Sequence, residues 1–346
     1  MTASLTAPLL RRYRLAAQRL AAETAAANAT EAAAAVCGVQ AQDPRAAGLA
    51  LRSRVPGLER ADVDDADLVR TWTVRGTVHL VPTADRAWLH ALCGARFRRQ
   101  FEASISRRAS LADANALLPD ALDVLANGPV DRAALLRELA VRGSPDLGVA
   151  FNVLIPWIAT QGLVLGTPDG RYRAAAPPPP VDEDEALATM AGRYLAGYGP
   201  ASATDLAAWS GLPLGAARSG LAAIGPLERA GDLLALPGAL DAPPPPAPPP
   251  RLLAAFDTTM LGWRRRTPLV PSAHDRRVNA GAGMVRATVL VRGAVAGTWR
   301  LGGSGRRRAI EVDWFGRPAA AQALDAEARD VGRFLDVGVG GVLATA

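Results

Sequence analysis

The chain has 346 residues, a length that fits two to four small domains. Its formal net charge is +6, all 39 basic residues are arginines, and 49% of the residues are hydrophobic, many of them alanine, which favours helix. Without lysine no side chain can form a Schiff base, and the chain cannot supply the lysine of a P-loop. We expect no membrane span and no secretion leader, and the two cysteines have no metal-ligand spacing. We therefore expect a cytoplasmic protein with no membrane partner, no metal and no cofactor.

The first segment (residues 1–85) is predicted to form a winged helix. Its periodicity predicts helices at 8–21, 30–37 and 45–55, followed by strands at 73–75 and 77–81. Between the second and third helices lies the run Val39-Gln40-Ala41-Gln42-Asp43-Pro44. Amides at positions i and i+2 of an extended chain project to the same side. Such a pair can donate and accept hydrogen bonds but cannot act as a base.

The second segment (residues 86–176) and the third segment (residues 181–242) repeat this plan. In the second, helices are predicted at 118–126, 132–141 and 151–162, before a hairpin at 163–165 and 171–173. In the third, they are predicted at 187–195, 205–209 and 215–224, before a hairpin at 227–230 and 233–236. Helix, helix-turn-helix and hairpin is the winged-helix order. Proline runs at 177–180 and 243–250 are typical of spacers.

The C-terminal segment (residues 251–346) changes to a period of two. Strands are predicted at 287–291, 294–299 and 311–314, which indicates a small antiparallel β unit. A last helix, predicted at 319–335, closes the chain. Between Arg251 and Arg308 there are twelve arginines and two acids, so this stretch carries 12 − 2 = +10. Such a field fits a phosphate backbone, although a solvated surface in a lysine-free protein fits it as well.

The motifs together resemble a known family. The glutamine run, followed by Trp72-Thr73-Val74-Arg75-Gly76-Thr77-Val78-His79-Leu80-Val81-Pro82, resembles the bacterial winged-helix DNA glycosylases of the azinomycin-resistance (AlkZ-like) type. The runs at 252–257, 261–264, 277–279 and 295–299 are also similar, in the same order. Arg265 stands where relatives carry an acid and Trp263 replaces a tyrosine, so substrate contacts in that loop do not carry over.

The resemblance implies a fold that is mainly α with β: three tandem winged-helix domains, a C-terminal antiparallel β-barrel-like unit and a closing helix. It implies that Gln40 and Gln42 form a catalytic Gln-apolar-Gln motif in a channel around duplex DNA. The family removes N7-alkylated purines, including interstrand crosslinks and bulky adducts of natural products, and some members protect the producer of such a compound. We expect a monomer whose partner is double-stranded DNA carrying alkylated purines, located on the nucleoid of a bacterium.

The chemistry of two glutamines suits such a substrate. Glycoside hydrolysis ordinarily needs an acid for the leaving group and a carboxylate as base or nucleophile. An N7-alkylated purine is already cationic and leaves as a neutral base, so the glutamines have only to hold a water at C1′. Asp43 is the competing candidate for the base, but in an extended segment it faces the other way, and Asp before Pro is common in turns. Without lysine we expect no strand-cutting lyase step.

Other residues have weaker patterns. Arg75, Thr77 and His79 alternate along a predicted strand and would share one face, either beside the site or in an ordinary wing. The arginine-rich segment supplies candidates for DNA contact, with solvation as the alternative: Arg264, Arg265, Arg266, His274, Arg276, Arg277, Asn279, Arg306, Arg307 and Arg308.

Two non-enzymatic functions also fit a winged-helix protein. A transcriptional regulator is the first, but three different units in one chain lack the two-fold symmetry of palindromic operators. A scaffold for protein contacts is the second, and it leaves the arginine field without a role.

Overall fold

The computed structural model describes residues 4–281, 283–304, 308–318 and 322–345. It is 47% helical and 18% strand. The described helices are α1 Ala7–Ala17, α2 Ala29–Ala35, α3 Pro44–Arg52, α4 Arg60–Asp64, α5 Arg86–Ser106, α6 Leu111–Ala126, α7 Arg132–Val141, α8 Phe151–Ala159, α9 Glu183–Tyr198, α10 Ala203–Ser210, α11 Leu214–Ala223, α12 Thr258–Leu261, α13 Asp275–Val278 and α14 Gln322–Phe334. None of these helices is long and apolar enough to cross a membrane.

The described strands form two five-stranded sheets and two short hairpins. They are β1 Val39–Gln40, β2 Leu68–Trp72, β3 Val78–Pro82, β4 Val164–Gly166, β5 Tyr172–Ala174, β6 Glu228–Ala230, β7 Leu233–Ala235, β8 Arg251–Leu253, β9 Asn279–Gly281, β10 Met284–Val285, β11 Thr288–Val291, β12 Ala294–Gly302, β13 Arg308–Trp314 and β14 Val339–Ala344.

The first sheet has the order β1-β3-β2-β4-β5 and is antiparallel throughout. It joins the first and second segments, because Arg70 of β2 pairs with Gly166 of β4. The strand expected at 73–75 is wrong. Val74–Gly76 forms a 3₁₀ turn in which Arg75 has φ 57°, a left-handed conformation that no strand accommodates. The strand of this region lies earlier, at 68–72.

The second sheet has the order β14-β13-β12-β11-β8. Within the described ranges it is an open sheet and not a closed barrel, which corrects the expected barrel-like unit. It is also not purely antiparallel, since β13 and β14 run parallel. Parallel neighbours need a crossover, and α14 supplies it. The helix predicted at 319–335 therefore does not close the chain, because β14 follows it.

Two hydrophobic cores organise the molecule. One extends through the first and third segments into the C-terminal segment and includes Leu89 and Phe97 of α5 in the second. The other belongs to the second segment. The larger core encloses an ion pair in which Arg54 donates from both Nη atoms to Asp257 at 2.9 Å, with both side chains 0% exposed. Gln18 of the segment after α1 and Thr258 of α12 complete this network. It fixes the end of α3 to the C-terminal segment.

The long proline run lies against α1. Arg12 donates from Nε to the carbonyl of Pro245 at 2.9 Å and from Nη2 to that of Pro244. The hydroxyl of Tyr13 donates to the carbonyl of Ala242 at 3.0 Å. The shorter run is held in a similar way, since Arg86 donates to the carbonyl of Ala176 at 2.6 Å. Both spacers are thus attached to helices.

Candidate active site

The glutamine motif lies on the short edge strand β1 of the first sheet. Gln40 is opposite His79 of β3, and the N–H of Ala41 donates to the carbonyl of Val78 at 2.9 Å. The chain enters β1 through Gly38, which has φ +89°, and a Cβ there would lie 2.5 Å from Val81 Cγ1. Only glycine fits so close to the neighbouring strand. The entry turn thereby places β1 tightly against β3.

The two amide side chains contact each other. Gln40 Nε2 donates to Gln42 Oε1 at 2.7 Å, so the structure brings together the two residues that the sequence singled out. Gln40 is 7% exposed, whereas Gln42 is exposed. The pair therefore has one buried member that is held by protein and one member that faces solvent.

Asp43 follows Gln42 in the chain, and its side chain caps a helix. Its carboxylate accepts the N–H of Arg45 at 2.8 Å and caps α3, whose first residue is Pro44. Aspartate at the cap and proline in the first turn are the usual start of a helix. The side chain is exposed and lines a cavity of about 610 Å³ between α3 and the second sheet, together with Arg45, Arg286 and Arg300.

Arg75 touches the buried glutamine. Its Nη2 donates to Gln40 Oε1 at 3.4 Å, and its Nη1 donates to the carbonyl of Trp209 in α10. Burial lowers the pKa of Arg75 from its usual range. The predicted sharing of one strand face by Arg75, Thr77 and His79 is wrong, because Arg75 lies in the 3₁₀ turn and Thr77 follows that turn.

His79 is a buried neutral imidazole under the motif. Burial, and then the charge of Arg75, lowers the pKa of His79 to about 3. Its Nδ1 lies 3.0 Å from the carbonyl of Thr77 and 3.0 Å from Thr73 Oγ1. A carbonyl only accepts, so Nδ1 carries the proton. At neutral pH this ring can neither hold a positive charge nor supply an acid. The hydroxyl of Thr77 donates to the carbonyl of Val74 at 3.1 Å.

A second arginine, Arg70, donates hydrogen bonds to the backbone of the motif. Arg70 of β2 is 4% exposed and donates to the carbonyl of Ala41 from Nη2 at 3.1 Å and from Nε at 3.3 Å. Its guanidinium also lies over the ring of Tyr172 in the second segment, 5.6 Å from the centroid. Both backbone groups of Ala41 are therefore bonded, and the residue between the two glutamines cannot rotate freely. Sequence reasoning missed Arg70, Thr73 and Trp209.

The candidates for DNA contact occupy three places in the C-terminal segment. Arg264 and Arg265 are exposed in the loop after α12, while Arg266 is bonded to Asp275 at 3.1 Å. In and around α13, Arg276 is exposed, Asn279 begins β9, and His274 and Arg277 pack on the ring of Phe315. Arg308 begins β13 and lines the cavity that Asp43 lines. Arg306 and Arg307 lie outside the described residues.

No group of three or more histidine, cysteine or carboxylate side chains in the described ranges could hold a metal ion. The two cysteines, Cys37 and Cys93, are buried, and burial raises the pKa of each thiol to about 12. Neither thiol is therefore a ready nucleophile.

Comparisons with known proteins show the family of the chain and its likeness in fold to a solved structure. The model of the family described as DNA glycosylase AlkZ-like matches residues 33–334. The interstrand DNA cross-link repair glycosylase of Streptomyces sahachiroi is 25% identical over 304 residues, which are 77% of this chain and 80% of that protein. The solved structure of Streptomyces sahachiroi DNA glycosylase AlkZ matches with a TM-score of 0.77 and 20% identity, and the match covers 100% of both chains.

The fold and the family match define an enzyme that hydrolyses N-glycosyl bonds in DNA. The chain belongs to the DNA glycosylase AlkZ-like family. Its substrate is therefore DNA, and the alternative of a non-enzymatic regulator does not hold.

Proposed function

We propose that the protein is a monofunctional DNA glycosylase for N7-alkylated, cationic guanines in duplex DNA. Interstrand crosslinks are included because a relative that matches 77% of the chain is named for cross-link repair. Bulky natural-product adducts are included on the family resemblance of the motifs. It acts as a monomer in the cytoplasm of a bacterium, on nucleoid DNA, in repair or in self-resistance.

The observation that carries this proposal is the contact between Gln40 and Gln42. A carbonyl oxygen has two lone pairs, so Gln42 Oε1 can accept from a water while it accepts from Gln40. This oxygen also directs a negative dipole at the sugar, where positive charge develops in the transition state. An amide is a weak base, and His79 stays uncharged at neutral pH. The substrate must therefore bring its own activation, which the cationic purine does.

Asp43 remains the competing candidate for the base. Its carboxylate is already engaged at the N-terminus of α3, where a negative charge is stabilised by the helix. The cap directs this carboxylate towards α3, whereas the oxygen of Gln42 is the acceptor that contacts Gln40. We therefore assign the water to Gln42 and the capping role to Asp43.

The arginine-rich segment binds the phosphate backbone in this proposal. Arg264, Arg265 and Arg276 are exposed and can reach phosphates directly. Arg266 and Arg277 already have carboxylate partners, so they shape the loops. The other candidates for phosphate contact are His274, Asn279 and Arg308, together with Arg306 and Arg307, which lie outside the described residues.

The test is release of the base from duplex DNA that carries N7-methylguanine or a bulky N7 adduct. The wild-type protein should release the alkylated base and should leave uracil and hypoxanthine in place. Gln42→Ala and Gln40→Ala should each slow release by about 10²-fold or more, the usual loss when one group that stabilises the transition state is removed. Gln100→Ala, at an exposed glutamine of α5, is the matched control and should not change the rate.

Two results would contradict the proposal. Loss of activity in Asp43→Ala alone, with both glutamine variants active, would move the base to Asp43. Trapping of a covalent protein–DNA adduct with borohydride would show a Schiff base, which a chain without lysine can form only at its terminal amine.

A further inference from the structure

We infer that Arg75 is a positioning residue that sets the direction of the hydrogen bonds through both glutamines, and that α10 of the third segment holds Arg75 in place. This inference rests on the proposed function of the glutamine pair. It assigns a role in the reaction to the third segment, which does not contain the motif.

The direction follows from the chemistry of the three side chains. Arginine only donates, so the group of Gln40 that faces Arg75 must be its oxygen. The other end of that amide, Nε2, then faces Gln42 and can only donate to it. Gln42 must therefore present its oxygen to Gln40, and the same oxygen keeps one lone pair for the water. One arginine thus determines both amide orientations.

Without Arg75 the direction of the hydrogen bonds through the two glutamines is no longer fixed. Either end of the Gln40 amide could then face Gln42, because an amide can donate from one end and accept at the other. In half of these arrangements Gln42 would turn its NH₂ group inward, and the lone pair for the water would move away. The 3.4 Å separation between Arg75 Nη2 and Gln40 Oε1 is long for a hydrogen bond. Bonds at catalytic sites are often long in the free protein and shorten in the complex.

The third segment anchors Arg75 at the end of a helix. Trp209 lies in the last turn of α10, where carbonyl groups have no partner within the helix, and its carbonyl accepts from Arg75 Nη1. Gly211 follows with φ +76° and ends the helix. A Cβ on Gly211 would lie 3.1 Å from Arg75 Cα and 3.2 Å from its backbone N. This glycine therefore lets the Arg75 backbone lie directly against the helix end.

The experiment measures two quantities for each variant. The first is the single-turnover rate of base release from N7-methylguanine duplex with protein in excess. The second is the dissociation constant for the same duplex with a 2′-fluorinated lesion, whose glycosidic bond resists hydrolysis. Arg75→Met should lower the rate by about 10- to 100-fold, as expected for misplaced catalytic groups, with the dissociation constant changed by less than about threefold. Arg75→Lys, which keeps one donor, should recover part of the rate.

A double-mutant cycle separates positioning from a general structural role. If Arg75 acts through Gln40, adding Arg75→Met to Gln40→Ala should change the rate by no more than about twofold. Incubation over hours keeps the slow variants measurable. The matched control is Arg14→Met, which also removes a buried arginine bonded to a carbonyl of the third segment, that of Pro200. It should lower thermal stability and leave the rate of base release unchanged.

The outcomes are distinguishable. Full additivity in the cycle, an unchanged rate in Arg75→Met, or a parallel loss of binding would each overturn the role of Arg75. No release of base by the wild-type protein would instead refute the proposed function, and an unimpaired Gln40→Ala would refute the glutamine mechanism. If Arg75→Met fails to fold, Arg75→Gln carries the same cycle, because its amide can either donate or accept and so does not set the direction of the hydrogen bonds.

Discussion

Lowering the pH should destabilise the protein through His79. The ring is 3% exposed, and burial is the main reason that its pKa falls from 6.5 to about 3, with the charge of Arg75 as the second reason. Above pH 6.5 the imidazole is uncharged in both the folded and the unfolded chain. Below that value the unfolded chain takes up a proton that the folded chain excludes until the pH approaches 3. Stability is therefore lost as the pH falls from 6.5 towards 3.

The size of the effect follows from the two pKa values. At pH 5 the unfolded state is favoured by proton uptake at His79 by about 2 kcal/mol. His90 acts in the same direction, since burial, and then Arg86, lowers its pKa too. It is only half-buried, so its contribution must be measured separately.

The assay is urea unfolding at pH 7 and at pH 5 for three proteins. His79→Asn keeps an N–H that can donate to the carbonyl of Thr77 but has no group that titrates. The difference in unfolding free energy between the two pH values should be about 2 kcal/mol smaller in His79→Asn than in the wild type. His90→Gln is the matched control and should keep the part of the pH dependence that is due to His79. With 3 histidines in the chain, NMR titration can follow each ring. A pKa near 6.5 for His79, or an equal pH dependence in His79→Asn, would refute the reasoning.

Three further predictions concern arginines. Arg54→Met should lower the unfolding free energy by about 3–5 kcal/mol, because it leaves the buried carboxylate of Asp257 unpaired. In urea melts, the double variant Arg54→Met/Asp257→Asn should lose less stability than the sum of the losses in the two single variants. Arg70→Met should slow single-turnover base release more than it weakens DNA binding, since the carbonyl between the glutamines loses two donors, and Arg70→Lys should retain part of the rate. Replacement of Arg264 and Arg265 by Ala should reduce the slope of log affinity against log salt by up to about 2, and an unchanged slope would place them off the DNA path.

Local patterns predicted many of the elements. The helix at 132–141 is confirmed as α7, because Gly128-Pro129 and the capping Asp131 mark its start. The two hairpins after α8 and α11 are confirmed within a residue or two, since turn residues such as Gly170 and Gly231 fix their position. Periodicity and turn chemistry act over a few residues, which is why these elements can be found in a sequence.

Longer-range pairing could not be predicted in this way. β14 contains Gly340 and Gly341, which weaken a strand pattern, and it is held by its parallel pairing with β13. β2 and β4 are joined by Arg70 and Gly166, which are far apart in the chain. α5, the 21-residue helix Arg86–Ser106, was given no bounds from the sequence beyond a helical pattern around Cys93, although it packs against α8 and α9. Tertiary contacts decided these elements.

The candidate site also combines features that local sequence predicts with contacts that depend on residues far away in the chain. Two amides two positions apart on an extended chain were expected on the same side, and their side chains meet at 2.7 Å. Their supports come from far along the chain. Arg70 reaches across 29 positions to Ala41, and Arg75 reaches across 134 positions to Trp209. The turn that carries Arg75 was taken for a strand, because its left-handed φ has no signal beyond the following Gly76.

The attached proline runs have a consequence for the thermodynamics of DNA binding. Proline has a fixed φ and no N–H, so these runs have few conformations even before they are attached to α1 and α5. A flexible linker would have to be ordered when the duplex binds, and that loss of entropy would weaken the affinity. Here the ordering takes place during folding. Association with DNA should therefore be limited by the fit and deformation of the duplex rather than by rearrangement of the linkers.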